Sequence, residues 1–327
     1  MKKNIVVVGC GHWGKNLVRN FAEIGSLYAV CDPNLATSSE LSEKYKVHNL
    51  SFEQILEDSN IQGVVLAIPA PLHASFAIKV MNSGKHAYVE KPLAMNENEA
   101  IAMIQSSKEN KVHLMVGHLL QYHPIYIKVK EMVKSKVLGD IHYIYSNRSS
   151  FGKIRTEEDV IWSFAPHDIS MILALSEEKI DSVRAESKCI VQKDIADLAM
   201  INLTFSQGLK AHINVSWLNP YKEHKLVVIG SNGSLVFDDT KSWKEKLAFF
   251  ENEFKNFDNE ICITQNNNSY IDVIESEPLS NECKHFMEVV NNDSHPLTNG
   301  YEGLKVLRVL SAASKSKTTK EVIKIDY

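Results

Sequence analysis

The sequence predicts an α/β fold: a doubly wound, Rossmann-type parallel sheet over residues 1–120, followed by an α+β domain with an antiparallel sheet over residues 121–327. Three observations predict it. Short apolar runs alternate with helix-patterned segments throughout the first part, which means parallel strands joined by right-handed helical crossovers. The first run, Ile5-Val6-Val7-Val8, leads straight into Gly9-Cys10-Gly11-His12-Trp13-Gly14 and then a helix. Beyond Gly139 the runs become strand-like and are joined by tight turns such as Ser206-Gln207-Gly208 and Ser231-Asn232-Gly233, the connection that antiparallel neighbours use.

Taken in order, residues 4–8 read as a strand, 15–24 as a helix stopped by Gly25, and 27–32 as a second strand. Residues 37–44 and 52–57 are helical, and 63–68 form a strand buried on both faces. A helix over 71–82 ends at Gly84, and 86–90 is the next strand. A helix over 96–110 and a strand over 114–117 complete the first part. Strands are expected over 140–148, 179–191, 199–205, 209–217, 225–230 and 234–237. Helices near 159–176, 280–291 and 301–316 should cover one face of that sheet, and the Asn-rich segment 254–270 reads as a surface excursion.

With 327 residues, 44% apolar and 23% charged, the chain is long enough for two cores and ordinary in composition. A net charge of −4 calls for neither nucleic acid nor a membrane surface as partner. The five cysteines are scattered without a Cys-x-x-Cys pair, so no disulfide framework or zinc site is suggested. Histidines do not occur in ligand spacing with acids, and no metal is expected. Cys10 and Cys31 read as small buried fillers. The apolar run before Gly9 is too short for a signal peptide, and a cytoplasmic location is the default.

The glycine segment has the form that cradles a dinucleotide pyrophosphate. Gly9 allows the turn, Gly11 lets the phosphates approach the backbone, and Gly14 lets the helix pack closely. His12 and Trp13 lie within the same loop. Asp32 ends the second strand, where a carboxylate accepts the hydroxyls of an adenosine ribose. It would repel a 2′-phosphate, and no Arg or Lys follows in Pro33-Asn34-Leu35-Ala36, so NAD is favoured over NADP. The alternative is that Asp32 caps a turn before Pro33. Pro69 and His73 belong to the loop expected to pass over the cofactor, with His73 as a ribose contact or a plain helix-start residue.

Tyr88-Val89-Glu90-Lys91-Pro92 closes a strand with a lysine at its carboxyl edge, because Pro92 cannot continue the ladder. An ammonium there would favour an alkoxide developing on a substrate hydroxyl; a surface lysine paired with Glu90 is the plain alternative. His167 and Asp168 follow Trp162-Ser163-Phe164-Ala165-Pro166. A histidine titrating near neutrality suits proton removal from an alcohol, an effect worth roughly 10²–10⁴ in rate. Asp168 could cap the helix, orient His167 or contact substrate, and Trp162 could stack near a nicotinamide or be core. His118, Gln121, Tyr122 and His123 are plausible cleft residues. Arg148, Lys153 and Arg155 could grip a phosphate or carboxylate, or form a solvated loop with Glu157 and Glu158.

These motifs, with Gly139-Asp140-Ile141 and the tail Thr298-Asn299-Gly300-Tyr301-Glu302-Gly303, resemble the Gfo/Idh/MocA oxidoreductases along essentially the whole chain. The resemblance implies a large, open, mostly antiparallel second sheet that serves as an oligomer interface, giving a homodimer or homotetramer. It implies NAD(P)-dependent chemistry at a sugar or cyclitol carbinol, with Lys91 matching the family's catalytic lysine and Glu90 beside the cofactor. Many members carry an aspartate four residues before the histidine; Ser163 stands here and cannot hold a charge beside His167. The stretch from Gly152 to Asp168 is similar to members of bacterial surface-polysaccharide pathways that oxidise the C3 hydroxyl of nucleotide-activated amino sugars such as UDP-N-acetylglucosamine. The alternatives are an inositol or free aldose dehydrogenase and a non-catalytic NAD-bound regulator.

Overall fold

The computed structural model describes residues 2–152, 154–176, 178–257 and 260–325. The chain forms two compact units. Met1–Tyr122 and Ser276–Leu307 make the first; His123–Glu275 and Arg308–Tyr327 make the second.

The first unit begins β1 (Ile5–Val8), α1 (Gly14–Ile24), β2 (Leu27–Cys31), α2 (Leu35–Tyr45), β3 (His48–Asn49) and α3 (Phe52–Glu57). It continues with β4 (Gly63–Leu66), α4 (His73–Asn82), β5 (His86–Glu90), α5 (Glu97–Glu109) and β6 (Leu114–Gly117). Its six strands run parallel in the order β3-β2-β1-β4-β5-β6. The order reverses at β1, so a crevice opens beyond the carboxyl ends of β1 and β4, where such sheets bind ligands. Every residue of β1, β4 and β6 is buried, which is why these segments read as unbroken apolar runs rather than alternating ones. Each fully buried Val or Leu there contributes about 2 kcal/mol by apolar burial.

In the second unit, α6 (Pro124–Lys134), β7 (Ile141–Phe151), α7 (Val160–Leu175), β8 (Ile180–Lys188), β9 (Leu198–Phe205) and β10 (Lys210–Ser216) are followed by β11 (Leu218–Gly230) and β12 (Ser234–Asp238). Then come β13 (Leu247–Phe257) and β14 (Glu260–Tyr270). Two further helices are α8 (Pro278–Asn292) and α9 (Gly300–Thr319), and β15 (Ile323–Lys324) ends the chain. The nine-stranded sheet runs β14-β13-β12-β11-β7-β10-β9-β8-β15. All its pairs are antiparallel except β7 with β10, and α7 packs on β7, β9 and β10.

Two expectations change. Within the segment 254–270, read as a surface excursion, residues 254–257 and 260–270 instead extend the sheet as parts of β13 and β14, while 258–259 lie outside the described residues; asparagine-rich composition hid strands whose pairing is set by the neighbouring β12. The helix over 280–291, expected on the second sheet, belongs to the first unit. As α8 it packs on α1 in the first unit, where Phe286 meets Phe21 edge-on at 6.3 Å. An amphipathic stripe says that a helix is covered, not by which sheet. The helix expected over 301–316 is α9, and the division between units falls within it, after Leu307.

His86 begins β5 and stacks on His113 with centroids 5.3 Å apart. Its Nδ1 accepts the His113 backbone N–H at 3.1 Å. Burial, with His113 alongside, pushes the imidazole down from 6.5 to about 4. The unfolded chain therefore takes up a proton below pH 6.5 that the folded chain refuses until about pH 4, and stability falls as pH drops through that window. Thermal melts of wild type and His86→Gln between those pH values should show a shallower acid loss in the variant; parallel curves would contradict this assignment.

Candidate active site

The glycine turn follows from sterics. Gly9 has φ of +91°, and a Cβ there would lie 2.3 Å from the Ala67 carbonyl oxygen. At Gly14 a Cβ would lie 1.8 Å from the Gly9 carbonyl oxygen. At Gly11 it would meet no atom within 4 Å, so the space left above that residue is open to a ligand. Helix α1 starts at this turn with no side-chain cap and no acid in its first turn, whereas Asn34, Ser51 and Asn96 cap α2, α3 and α5. Its positive dipole end thus suits an anion. His12 and Trp13 are exposed beside it. Asp32 shows the turn-capping role directly. Its carboxylate accepts the N–H of Cys10 at 2.5 Å and of Asn34 at 2.8 Å, tying the turn, and a carboxylate offers further lone pairs. The open space above Gly11, the α1 end and the remaining lone pairs of Asp32 are features that a dinucleotide fits. Burial pushes the Cys10 thiol up to about 12 and Cys31 up to about 11, as expected of inert fillers.

Glu90 ends β5 opposite Gly117. Its carboxylate accepts the Trp13 indole N–H at 2.6 Å and the Lys91 backbone N–H at 3.3 Å. A Cβ on Gly117 would press within 2.9 Å of that carboxylate, so the glycine makes its room. Lys91 is half-buried, and the Lys91–Pro92 peptide is cis. Pro69 lies exposed after β4. His73 departs from the ribose role. It is 1% exposed, and its ring nitrogens face the carbonyl oxygens of Pro92 at 2.7 Å and Ile68 at 2.9 Å. It staples the β4 and β5 end loops together instead. Burial holds it below the usual histidine range.

Of the expected cleft residues, His118, Gln121 and Tyr122 are buried in the first unit. The Tyr122 hydroxyl bonds Thr298 Oγ1 at 3.0 Å, so it serves the core rather than a substrate. His118 Nδ1 meets Glu302 Oε2 at 2.5 Å. His123 lies in the second unit, where it caps α6 and faces Asp239 at 3.5 Å.

In the second unit, Asp159 caps α7 by accepting from the N–H groups of Ile161 and Trp162. Lys317 pairs with the same carboxylate. Helix α7 carries Trp162, Ser163, His167 and Asp168. Pro166 cannot donate to the Trp162 carbonyl, interrupting the ladder one residue before the half-buried His167. The Trp162 indole donates to Ser314 Oγ at 2.9 Å. Asp168 and Arg148, expected as substrate contacts, satisfy one another. Arg148 Nε donates to Asp168 Oδ2 at 2.6 Å and Nη2 to Oδ1 at 3.2 Å, and the Ser146 hydroxyl donates to Oδ1 at 2.5 Å. Burying an unpaired charge is expensive, so each holds the other. Arg155 is partly exposed and only 3.9 Å from Glu158. Ser163 is buried, and Lys153 lies outside the described residues. Glu302 and Ser146 were missed by sequence reasoning: each acts through a partner more than twenty residues away in sequence. Because the Asp168 carboxylate is 1% exposed, Arg148→Met should cost about 3–5 kcal/mol. Adding Asp168→Leu should recover much of that loss in denaturant melts; a double variant no better than the single one would refute the pairing argument.

Residues 3–118 match the Gfo/Idh/MocA oxidoreductase family model, described as an NAD-binding Rossmann fold, and residues 126–236 match the Gfo/Idh/MocA C-terminal domain. The chain is 24% identical to the myo-inositol 2-dehydrogenase of Thermotoga maritima over 98% of both chains. It is 27% identical to the UDP-N-acetylglucosamine 3-dehydrogenase of Acidithiobacillus ferrooxidans over 64% of this chain and 66% of that one. A solved structure of UDP-N-acetylglucosamine 3-dehydrogenase from the same organism shares the fold with a TM-score of 0.83 at 22% identity, over 96% of each chain. The aldose-aldose oxidoreductase of Caulobacter crescentus shares it with a TM-score of 0.86 at 18% identity, over 99% of this chain and 100% of that one. With the glycine turn, the Glu90–Lys91 strand end and both sheets in this order, the chain belongs to the Gfo/Idh/MocA family of oxidoreductases.

Proposed function

We propose that this protein is an NAD-dependent dehydrogenase acting on a secondary hydroxyl of a nucleotide-activated amino sugar, with C3 favoured. The observation that carries the reading is the carboxyl edge of the first sheet. There an open glycine turn, an uncapped helix end and Asp32 accompany Lys91 at the end of β5. Gly9, Gly11, Gly14 and Asp32 would hold the dinucleotide, which supplies the hydride acceptor when bound. Lys91 donates a hydrogen bond to the substrate oxygen, and its charge stabilises the alkoxide. His167 accepts the hydroxyl proton as general base. The UDP-N-acetylglucosamine 3-dehydrogenase relative supports the substrate class. The reading includes surface-polysaccharide biosynthesis as the setting. It also includes a homodimer or homotetramer through the nine-stranded sheet, where Tyr145 stacks on His212 at 5.2 Å.

A second reading, inositol or free aldose oxidation, draws on one specific observation. Arg148 is tied to Asp168, which leaves Arg155 as the described member of the expected diphosphate grip. The inositol dehydrogenase relative matches over nearly its full length.

Absorbance at the reduced nicotinamide band decides between them, measured with NAD⁺ and UDP-N-acetylglucosamine, its glucuronate form, or inositols. Reduction with UDP-sugars alone is expected; reduction with an inositol moves the assignment to the second reading, in which Arg155→Ala should be silent. Lys91→Ala should lower kcat by orders of magnitude while NAD affinity stays nearly unchanged, and full activity in that variant would sink the role of Lys91. Asp32→Asn should weaken NAD⁺ relative to NADP⁺ in binding titrations; an unchanged ratio would exclude Asp32 as the discriminating group.

A further inference from the structure

Helix α8 turns Leu279, Cys283, Phe286, Met287 and Val290 into the core of the first unit, and within that apolar stripe stands an acid, Glu282. Glu282 is completely buried. Among the described residues, neither of its oxygens has a hydrogen-bond partner of good geometry. Its carboxyl interacts with the Glu90 carboxyl and with the Tyr88 hydroxyl, without a bond of good geometry to either. Tyr88 is itself fully buried on β5, its ring edge-on to Phe286 at 5.5 Å. That hydroxyl donates to Glu90 Oε1 at 3.4 Å. One phenol therefore stands between two carboxyls, one at the carboxyl edge of the sheet and one in the core behind it.

Two carboxylates that repel one another in an apolar setting do not both ionise. The groups facing Glu90 decide which one does. Glu90 has the Trp13 indole N–H, the Lys91 backbone N–H, the Lys91 charge and His118. Glu282 interacts with Glu90, Tyr88, Tyr122 and Cys283, and among the described residues no donor of good geometry reaches its oxygens. Burial pushes both carboxyls up, and repulsion from Glu90 pushes Glu282 further. Glu90, with two N–H donors on its carboxylate, is the one equipped to carry a charge, and the buried, unpartnered Glu282 is the one equipped to keep a proton. A neutral acid can donate its O–H to the Tyr88 oxygen, leaving the Tyr88 proton for Glu90.

We propose that Glu282 is a positioning residue for the Glu90–Lys91 strand end: as a neutral acid it hydrogen-bonds the Tyr88 hydroxyl, which in turn holds the Glu90 carboxylate toward Trp13. Its importance for turnover rests on the proposed role of Lys91; the relay itself does not. Helix α8 would then hold the strand end in place as well as fill the core, and no substrate or cofactor need touch it.

The test reads Glu90 through its own partner. In isotopically labelled protein, the Trp13 indole N–H resonance follows Glu90 titration. Glu282→Gln keeps a neutral hydrogen-bonding side chain, and the Trp13 titration midpoint should stay in place. Glu282→Leu removes the relay donor, and the midpoint should move to higher pH. An infrared band of a protonated buried carboxylic acid should persist through neutral pH in the wild type and vanish in Glu282→Gln, a result that does not require the leucine variant to fold. A downward shift of the midpoint in both variants would mean an ionised Glu282 and overturn the proposal. No shift in either, or no such infrared band, would overturn it too. Neither readout needs a sugar substrate, so failure of the dehydrogenase reading and failure of the relay are separately visible.

Discussion

A single missing methyl group governs the first unit. Between Gly14 and the carbonyl oxygen of Gly9 there is no space for a Cβ, which would sit 1.8 Å from that oxygen. Because the contact is allowed, α1 can begin directly at the end of β1 and run back along the sheet to bury Leu17, Val18 and Phe21. Its amino end is thereby aimed across the edge of β1 and β4 without a cap. Trp13, one residue before the helix, is set where its indole reaches Glu90. The anion-ready helix end and the anchored end of β5 are consequences of the same close approach.

The end of β5 is held from several sides. Trp13 and the Lys91 backbone bond the Glu90 carboxylate, Gly117 leaves room for it, and Tyr88 supports it from the core. His73 ties the loop after Pro92 to the loop after β4. Such restraint matters for a general electrostatic reason: a donor or charge that is already in place costs no reorganisation when charge develops on a substrate. The second unit uses a comparable device on α7, where Arg148 and Ser146 hold Asp168, the neighbour of His167. In both units the residue proposed to do chemistry stands beside a carboxylate held by its own hydrogen bonds.

What the sequence alone determined is what depends on local sterics and periodicity. The Gly9-to-Gly14 spacing announces its turn because only glycine tolerates those approaches, and the run from Ile5 to Val8 announces a strand buried on both faces. Asp32 at the end of β2 and Lys91 before Pro92 were legible because a strand end has a defined direction. The family resemblance, carried by these motifs in order, is matched by the models covering residues 3–118 and 126–236.

Tertiary structure alone decided which partner each polar side chain meets. His73 reads as a ribose contact or helix-start residue and Tyr122 as a cleft residue, and both are bonded in the interior. Arg148 looked like a free cation and is neutralised by Asp168. Residues 254–257 and 260–270 read as a surface excursion, yet β12 supplies an edge for β13, which in turn pairs with β14. Helix α8 announced an apolar stripe, but nothing in that stripe said that it would lie on α1, nor that its one acid would end up behind Tyr88. The physical reason is common to all of these. Backbone conformation is set by near neighbours, whereas the fate of a charge or hydroxyl depends on desolvation and on groups brought from tens or hundreds of residues away.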